Sequence, residues 1–343
     1  MPFIHDILQH RSLSIVGMEK NTGKTVCLNY ILRRLAQEGI PVAVTSIGVD
    51  GEQTDSVYAT AKPEITLYEG TRFITSELHY RQRRLISRIL EVDERRTSLG
   101  QLITAEVVCP GKVILSGAAT TEKLKEQIEH LAKKDTSSNP ISRITIVDGA
   151  LSRLSLASPT VTDAMILATG AAVSPNLQQL ISKTRYQFRL INLPECSPTL
   201  REKLNPIASG LWAIDSNEEV HDLQIASAFL LSNAHNDLFR FGNTFFASGA
   251  VSDRLLRYFC AQKQIGSTTL LVRDFTKLFI SSDVFADFTR RGGQLKVLQQ
   301  SNLIAICLNP TSPQGYLLNS PEACKALSDA LGRPVFDVLA NPS

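Results

Sequence analysis

The sequence predicts an α/β protein: a phosphate-loop domain with a largely parallel sheet flanked by helices, then a second, smaller α/β domain. Three observations carry that expectation. Short apolar, β-rich runs alternate with helix-period segments along most of the chain. A Gly-Lys-Thr triplet at positions 23–25 stands between the first such run and the first helical stretch. The chain has 343 residues, 43% apolar and 20% charged, which is enough for two packed cores and unlike a disordered composition.

Leu13–Val16 is the first strand, and the helix after it runs from about Thr25 to Gln37. Val26, Leu28, Ile31, Leu32 and Leu35 form its apolar stripe, and Gly39 sits at a typical C-cap position. Between strand and helix lies Gly17-Met18-Glu19-Lys20-Asn21-Thr22-Gly23-Lys24-Thr25. Such a loop wraps phosphate oxygens with backbone N–H groups, and the helix N-terminus adds partial positive charge. Gly17, Asn21, Thr22, Gly23, Lys24 and Thr25 are therefore the expected nucleotide contacts. Lys24 reaches the β- and γ-phosphates, and the Thr25 hydroxyl ligates Mg²⁺. In the common Walker A spacing the first glycine would fall at position 18; here it is Gly17, one residue earlier. Lys20 reads as a solvated loop lysine.

Pro41–Ile47 is the second strand and runs into the acidic, turn-prone Gly48-Val49-Asp50-Gly51-Glu52. Within residues 53–110, Tyr80–Ile89 looks like a basic helix with a solvated face, and Gln101–Val108 like a strand. Val113–Leu115 is a strand before Ser116-Gly117-Ala118 and a helix over 121–131. Arg143–Val147 is a strand ending in Asp148-Gly149-Ala150, and Ala164–Ala168 is the next, with a helix from about Pro175. Phe188–Ile191 reads as a short strand ending at Asn192, and 204–210 as a boundary, giving domains 1–205 and 206–343. The second domain is expected to hold strands at 211–214, 244–247, 269–272, 295–298, 304–307 and 335–339. Its helices fall at 222–233, 251–263, 283–291 and 321–331.

A phosphate loop needs a metal-organising carboxylate at the end of an apolar strand, and Asp148 meets that requirement. Asp50 is the second metal and catalytic candidate, since it follows the second strand where a carboxylate can orient water; Glu52 and Asp55 are its alternatives. Asn192, at the end of the Phe188–Ile191 run, offers both a donor and an acceptor, with a plain turn asparagine as the alternative. Ser116-Gly117-Ala118, Ser248-Gly249-Ala250 and the turn-dense Asn309-Pro310-Thr311-Ser312-Pro313-Gln314-Gly315 are further candidate effector or substrate segments. For each, a plain connection is the competing explanation.

The long loop with threonine after the lysine resembles dethiobiotin synthetase and the cobyrinic acid amide synthases, within the nitrogenase-iron-protein and MinD-like ATPases. That resemblance covers at most the first 200 residues and also rests on the Asp148-Gly149-Ala150 turn and on Asn192, for which it implies contact with an adenine edge. It implies ATP and Mg²⁺ as cofactors and, for a synthase or kinase, a small carboxylate substrate. The biotin enzyme's substrate lysine has no counterpart in Thr45-Ser46-Ile47-Gly48. The overall layout is similar to the reactivase subunit associated with lysine 5,6-aminomutase. The shared features are Glu19 to Thr25, Val147-Asp148-Gly149-Ala150, and Asn309-Pro310-Thr311-Ser312-Pro313 before a last helix. This second resemblance implies an ATP-driven chaperone whose partner is a B12-dependent aminomutase. The competing reading is an ATP-dependent ligase or kinase.

The net charge of +3 and the lack of a long basic run argue against nucleic acid. Six cysteines without a C-x-x-C pair argue against zinc, iron–sulfur and disulfide frameworks. No stretch is long and apolar enough to span a bilayer, so a reducing cytoplasm is the expected setting, with a homodimer as one admissible assembly. Asn192-Leu193-Pro194 lacks the guanine-reading Asn-Lys-x-Asp pattern, which favours ATP over GTP.

Overall fold

A computed structural model describes residues 3–47, 64–118, 120–132, 142–149, 157–227 and 238–340. In chain order the first elements are α1 (Ile4–Ile7), β1 (Ser12–Gly17), α2 (Lys24–Gln37), β2 (Val42–Ser46), β3 (Ile65–Leu67), β4 (Arg72–Ser76) and α3 (Glu77–Arg81). Then come β5 (Arg84–Thr97), β6 (Gly100–Val113), α4 (Thr121–Leu131), β7 (Ile144–Asp148), β8 (Ala164–Gly170) and α5 (Leu177–Ile191). The chain continues with α6 (Pro198–Leu204), β9 (Leu211–Ile214), β10 (Val220–Ile225), β11 (Thr244–Ala247), β12 (Val251–Ser252) and α7 (Asp253–Cys260). It ends with β13 (Thr269–Val272), β14 (Leu278–Phe279), α8 (Ser282–Arg290), β15 (Gln294–Val297), β16 (Leu303–Asn309), α9 (Ser320–Leu331) and β17 (Val335–Phe336).

Contacts divide the chain into two compact units, residues 1–185 with 302–343, and residues 186–301. Among the described residues, the first unit holds a ten-stranded sheet in the order β17-β16-β8-β1-β7-β2-β4-β6-β3, with β5 also paired to β6. From β17 to β4 the pairing is parallel; β6 then runs antiparallel to β4, β3 and β5. β1 and β8 are buried at every residue, as parallel strands covered on both faces must be. Leu13, Ile15, Leu28, Ile31, Ile146 and Ile166 are the centre of the main core, which joins α2 to the sheet. On the other face Leu131 of α4 packs with Ile74 and Leu102.

Among the described residues, the second unit has a five-stranded sheet, β10-β9-β11-β13-β15, parallel from β11 to β15 and antiparallel at β9 and β10. Phe246 and Leu271 pack with Leu204 and Ile214 in one cluster. Phe245 meets Phe259 of α7 at 4.9 Å between ring centres.

Four expectations are corrected. The boundary at 205 assigned everything after it to a second domain, yet β16, α9 and β17 belong to the first unit. The physical reason is that Leu303–Leu308 is apolar throughout and buried on both faces, so it pairs with β8 inside the parallel sheet. Residues 188–191 end helix α5 and are not a strand. Tyr80–Ile89 splits into the end of α3 and the start of the long strand β5. The expected helix at 222–233 is strand β10 over its first residues. Among the described residues no helix is long and apolar enough to cross a membrane.

Gly117 marks a tight corner: a Cβ there would sit 1.5 Å from the Ser46 carbonyl oxygen at the end of β2. Gly39, whose Cβ would meet nothing within 4 Å, provides the control. Gly117→Ala is expected to lower unfolding free energy by about 3 kcal/mol in urea titrations, against about 1 kcal/mol for Gly39→Ala at its positive φ. Equal small losses would show that the corner yields.

Candidate functional site

β1 delivers the chain at Gly17 to the carboxyl edge of the parallel strands, where open α/β sheets bind ligands. The Met18 N–H donates to the Ala168 carbonyl at 2.9 Å, fixing the loop's first residue to β8. A Cβ at Gly17 would stand 2.3 Å from Thr22 Oγ1 and 3.1 Å from Lys24 Cδ. The loop thus folds back on its own start, and the Lys24 side chain runs over Gly17. That contact explains why the first glycine belongs at 17. Thr22 is buried and its hydroxyl donates to the Glu19 carbonyl at 2.9 Å, so this side chain closes the loop from inside.

Asn21 and Gly23 both take left-handed backbone, with φ of 61° and 90°. Asparagine tolerates that region better than other side-chain-bearing residues. At Gly23 there is no room for one: a Cβ would lie 2.7 Å from Asn309 Cβ. Asn309, the last residue of β16, donates from Nδ2 to the Asn21 carbonyl at 3.2 Å and accepts from the Thr311 N–H at 3.2 Å. It clamps the outer wall of the loop. Glu19 on the opposite side lies 3.7 Å from the Lys183 ammonium of α5.

α2 begins at Lys24 with Gly23 as its N-cap, no side-chain cap and no acidic residue in its first turn. By contrast, α3, α4, α6 and α9 are capped by Ser76, Thr120, Ser197 and Asn319, and α7 and α8 carry first-turn aspartates. The positive end of α2's dipole thus has neither a side-chain cap nor a first-turn carboxylate. Burial is the largest influence on Lys24 and lowers its pKa from the usual lysine value. The Asp148 carboxylate opposes that shift, and the Lys20 charge adds to it. Among the described residues, Asp148 is the carboxylate whose charge acts on this partly desolvated ammonium.

Asp148 ends β7, in register with Ile15 of β1 and Ser46 of β2, and its charge acts on Lys24. The structure thus brings together Gly17, Asn21, Thr22, Gly23, Lys24, Thr25 and Asp148. Thr25, half-buried in the first turn, and Asp148 are oxygen-bearing side chains among the described residues so brought together. Among the described residues no cluster of three or more His, Cys, Asp or Glu is placed to hold a metal alone. Asp50, Glu52 and Asp55 lie outside the described residues, as does Ala150.

Asn192 is a correction. It follows the last turn of α5 in the second unit, where its Nδ2 donates to the Phe188 carbonyl at 2.8 Å. Its amide caps a helix end. Ser116 is buried among Thr75, Ser76 and His79, with its Oγ accepting from the Ser76 N–H at 2.9 Å and lying 3.0 Å from His79 Nδ1. The Ser248 hydroxyl donates to the Gly210 carbonyl at 3.1 Å, and Asp253 in the following turn accepts from Ser281. Both segments are internal joints. Lys20 is an exposed loop lysine, as expected, and Asn309, expected only within a candidate effector segment, stands against the loop at Gly23. The Asn-Pro turn after an apolar strand marked Asn309, but only the sheet order places it beside Gly23.

Comparison with known proteins returns no matching family model, no matching curated protein and no matching solved structure.

Two outcomes follow from the geometry. Lys24 keeps a lowered pKa in the fold, so its burial penalty is complete below that value and vanishes above the unfolded value of 10.5. Lys24→Met is accordingly expected to raise thermal stability at neutral pH, with its advantage over wild type shrinking as pH climbs toward 10.5. A less stable variant at neutral pH would contradict the view that burial outweighs the attraction of Asp148. Asn309→Ala should speed amide exchange at residues 21–24 by about tenfold, as expected on losing one partly buried hydrogen bond and its packing. Unchanged exchange would remove the clamp.

Proposed function

We propose that this chain is a P-loop protein that binds ATP with Mg²⁺ and uses it to act on a partner. The observation that carries the reading is the desolvated Lys24 ammonium at an uncapped helix start, next to a strand-end carboxylate. The residues fit the group. Glycine at 17 is required by contact with Thr22 and Lys24, and glycine at 23 by contact with Asn309, so the loop backbone is held in one shape. Lys24 neutralises phosphate charge, the first-turn N–H groups of α2 accept phosphate oxygens as bonding partners, and Thr25 with Asp148 would hold Mg²⁺ or its water. When bound, the triphosphate supplies phosphoryl-transfer potential. Lys20 adds positive potential at the loop's edge and favours anion capture.

For the work performed, the reading favoured is a reactivating chaperone for a B12-dependent amino-acid mutase, on the resemblance carried by Glu19 to Thr25, Val147 to Ala150 and Asn309 to Pro313. The biotin-type synthase reading loses its substrate lysine, since β2 is Val-Ala-Val-Thr-Ser with Thr45 fully buried. A chaperone shows slow basal phosphate release that the mutase accelerates. A synthase requires a small carboxylate instead.

Binding is tested by thermal and chemical denaturation. Mg-ATP at a hundred times its Kd should stabilise the wild type by about 2.7 kcal/mol and leave Lys24→Ala unshifted. An equal shift in both would overturn the assignment. Asp148→Asn is expected to lower Mg²⁺-dependent phosphate release at least about tenfold while changing ATP affinity by less than about threefold. Full activity in that variant would take Asp148 out of the site.

A further inference from the structure

We infer that strand β5 is a self-association edge, pairing antiparallel with β5 of a second copy of this chain about a two-fold axis between Leu90 and Glu91. The inference is independent of nucleotide binding.

β5 is 14 residues long and, among the described residues, pairs only with β6, so its other edge presents backbone N–H and C=O groups. Large apolar side chains lie along it in the open: Ile86 at 60% exposure, Ile89 at 48%, Leu90 at 41% and Val92 at 43%. Ile89 stands opposite Ala105, and Val92 opposite Ile103. Both partners belong to the main core with Phe73 and Tyr80, so Ile89 and Val92 continue the core face of the sheet beyond its helical cover. An uncovered run of this kind on a strand edge marks an interaction surface.

Charge selects the occupant. Arg88 pairs with Glu106 of β6 at 2.9 Å, and Asp93 with Lys123 of α4 at 3.3 Å. Leu102 of β6 packs with Leu131 of α4, and Glu106 shares its side of β6 by even spacing, so Arg88 and Asp93 project to the α4 side. Strict alternation would put residues five apart on opposite faces; the register shift between Ile89 and Glu91 puts them on the same one. A second β5 laid antiparallel then sets Arg88 against Asp93 on that face and Ile89 against Val92 on the core face. By symmetry each contact occurs twice, as an isologous interface demands. The Arg88–Glu106 pair is exposed at its arginine and contributes little, and the Asp93–Lys123 pair is half-buried; a second copy adds an outer charge to each rather than replacing either partner. Register shifts elsewhere in β5 restrict pairing to this central stretch, which limits promiscuous edge growth.

The test is sedimentation velocity of the full chain over roughly 1–100 µM, the range in which a modest interface reveals itself. Wild type should form a dimer. Arg88→Asp alone and Asp93→Arg alone each place two like-charge pairs across the axis, and each should weaken association about a hundredfold. The double variant Arg88→Asp/Asp93→Arg restores opposite charges and should recover dimerisation, which a folding defect would not do; circular dichroism monitors the fold of all four proteins. A wild type monomeric throughout would overturn the proposal. So would singles that dimerise as well as wild type, or a folded double variant as weak as the singles.

Discussion

The proposed nucleotide site depends on a half-buried, partly desolvated cation. Lys24 could project freely into solvent from an ordinary helix start. Here Gly17 lets its stem lie across the loop, and burial depresses its pKa despite the nearby Asp148 charge. Folding alone does not favour such an arrangement, because desolvating an ammonium is unfavourable unless an anion compensates. The uncapped start of α2 adds to the same imbalance. The proposed nucleotide site rests on this local imbalance of charge and desolvation.

The surrounding fold keeps that imbalance in place. β1 lies between β7 and β8, so the loop leaves from the middle of the parallel sheet and cannot slide. β7 brings Asp148 from one side, and β16, one strand further on the other, brings Asn309. The last strand-helix-strand segment is therefore part of the loop's frame, although 116 residues of a separate compact unit precede it in the chain, from Tyr186 to Ser301. The second unit buries its own aromatic cluster around Phe245 and Phe259 and has its own sheet.

What was legible in the sequence was local. Strand, glycine loop and helix between Leu13 and Gln37 form a continuous signal, and so does an apolar run ending in Asp148. Most strands and helices of both units also fell where periodicity put them. The misses have distinct causes. Leu85, Ile86, Ile89 and Leu90 recur at helical spacing, but pairing with β6 overrides that pattern and the register shifts conceal the alternation. Phe188–Ile191 is a short apolar run, for which periodicity cannot separate strand from buried helix. Asn309 was visible as a turn residue, yet its neighbour Gly23 is remote in sequence, and only the strand order reveals the contact. The domain boundary failed for the same reason: a chain that leaves a sheet and returns to it gives no compositional sign of doing so.

The most direct measurement is the titration of the Lys24 ammonium itself, by NMR of side-chain-labelled lysine with the assignment fixed by Lys24→Arg. In the ligand-free protein it should titrate below the ordinary lysine value of 10.5, and Mg-ATP should move it upward as phosphate charge replaces the lost water. An ordinary lysine titration that nucleotide leaves unchanged would mean that the cup holds no strained cation and that no anion belongs there.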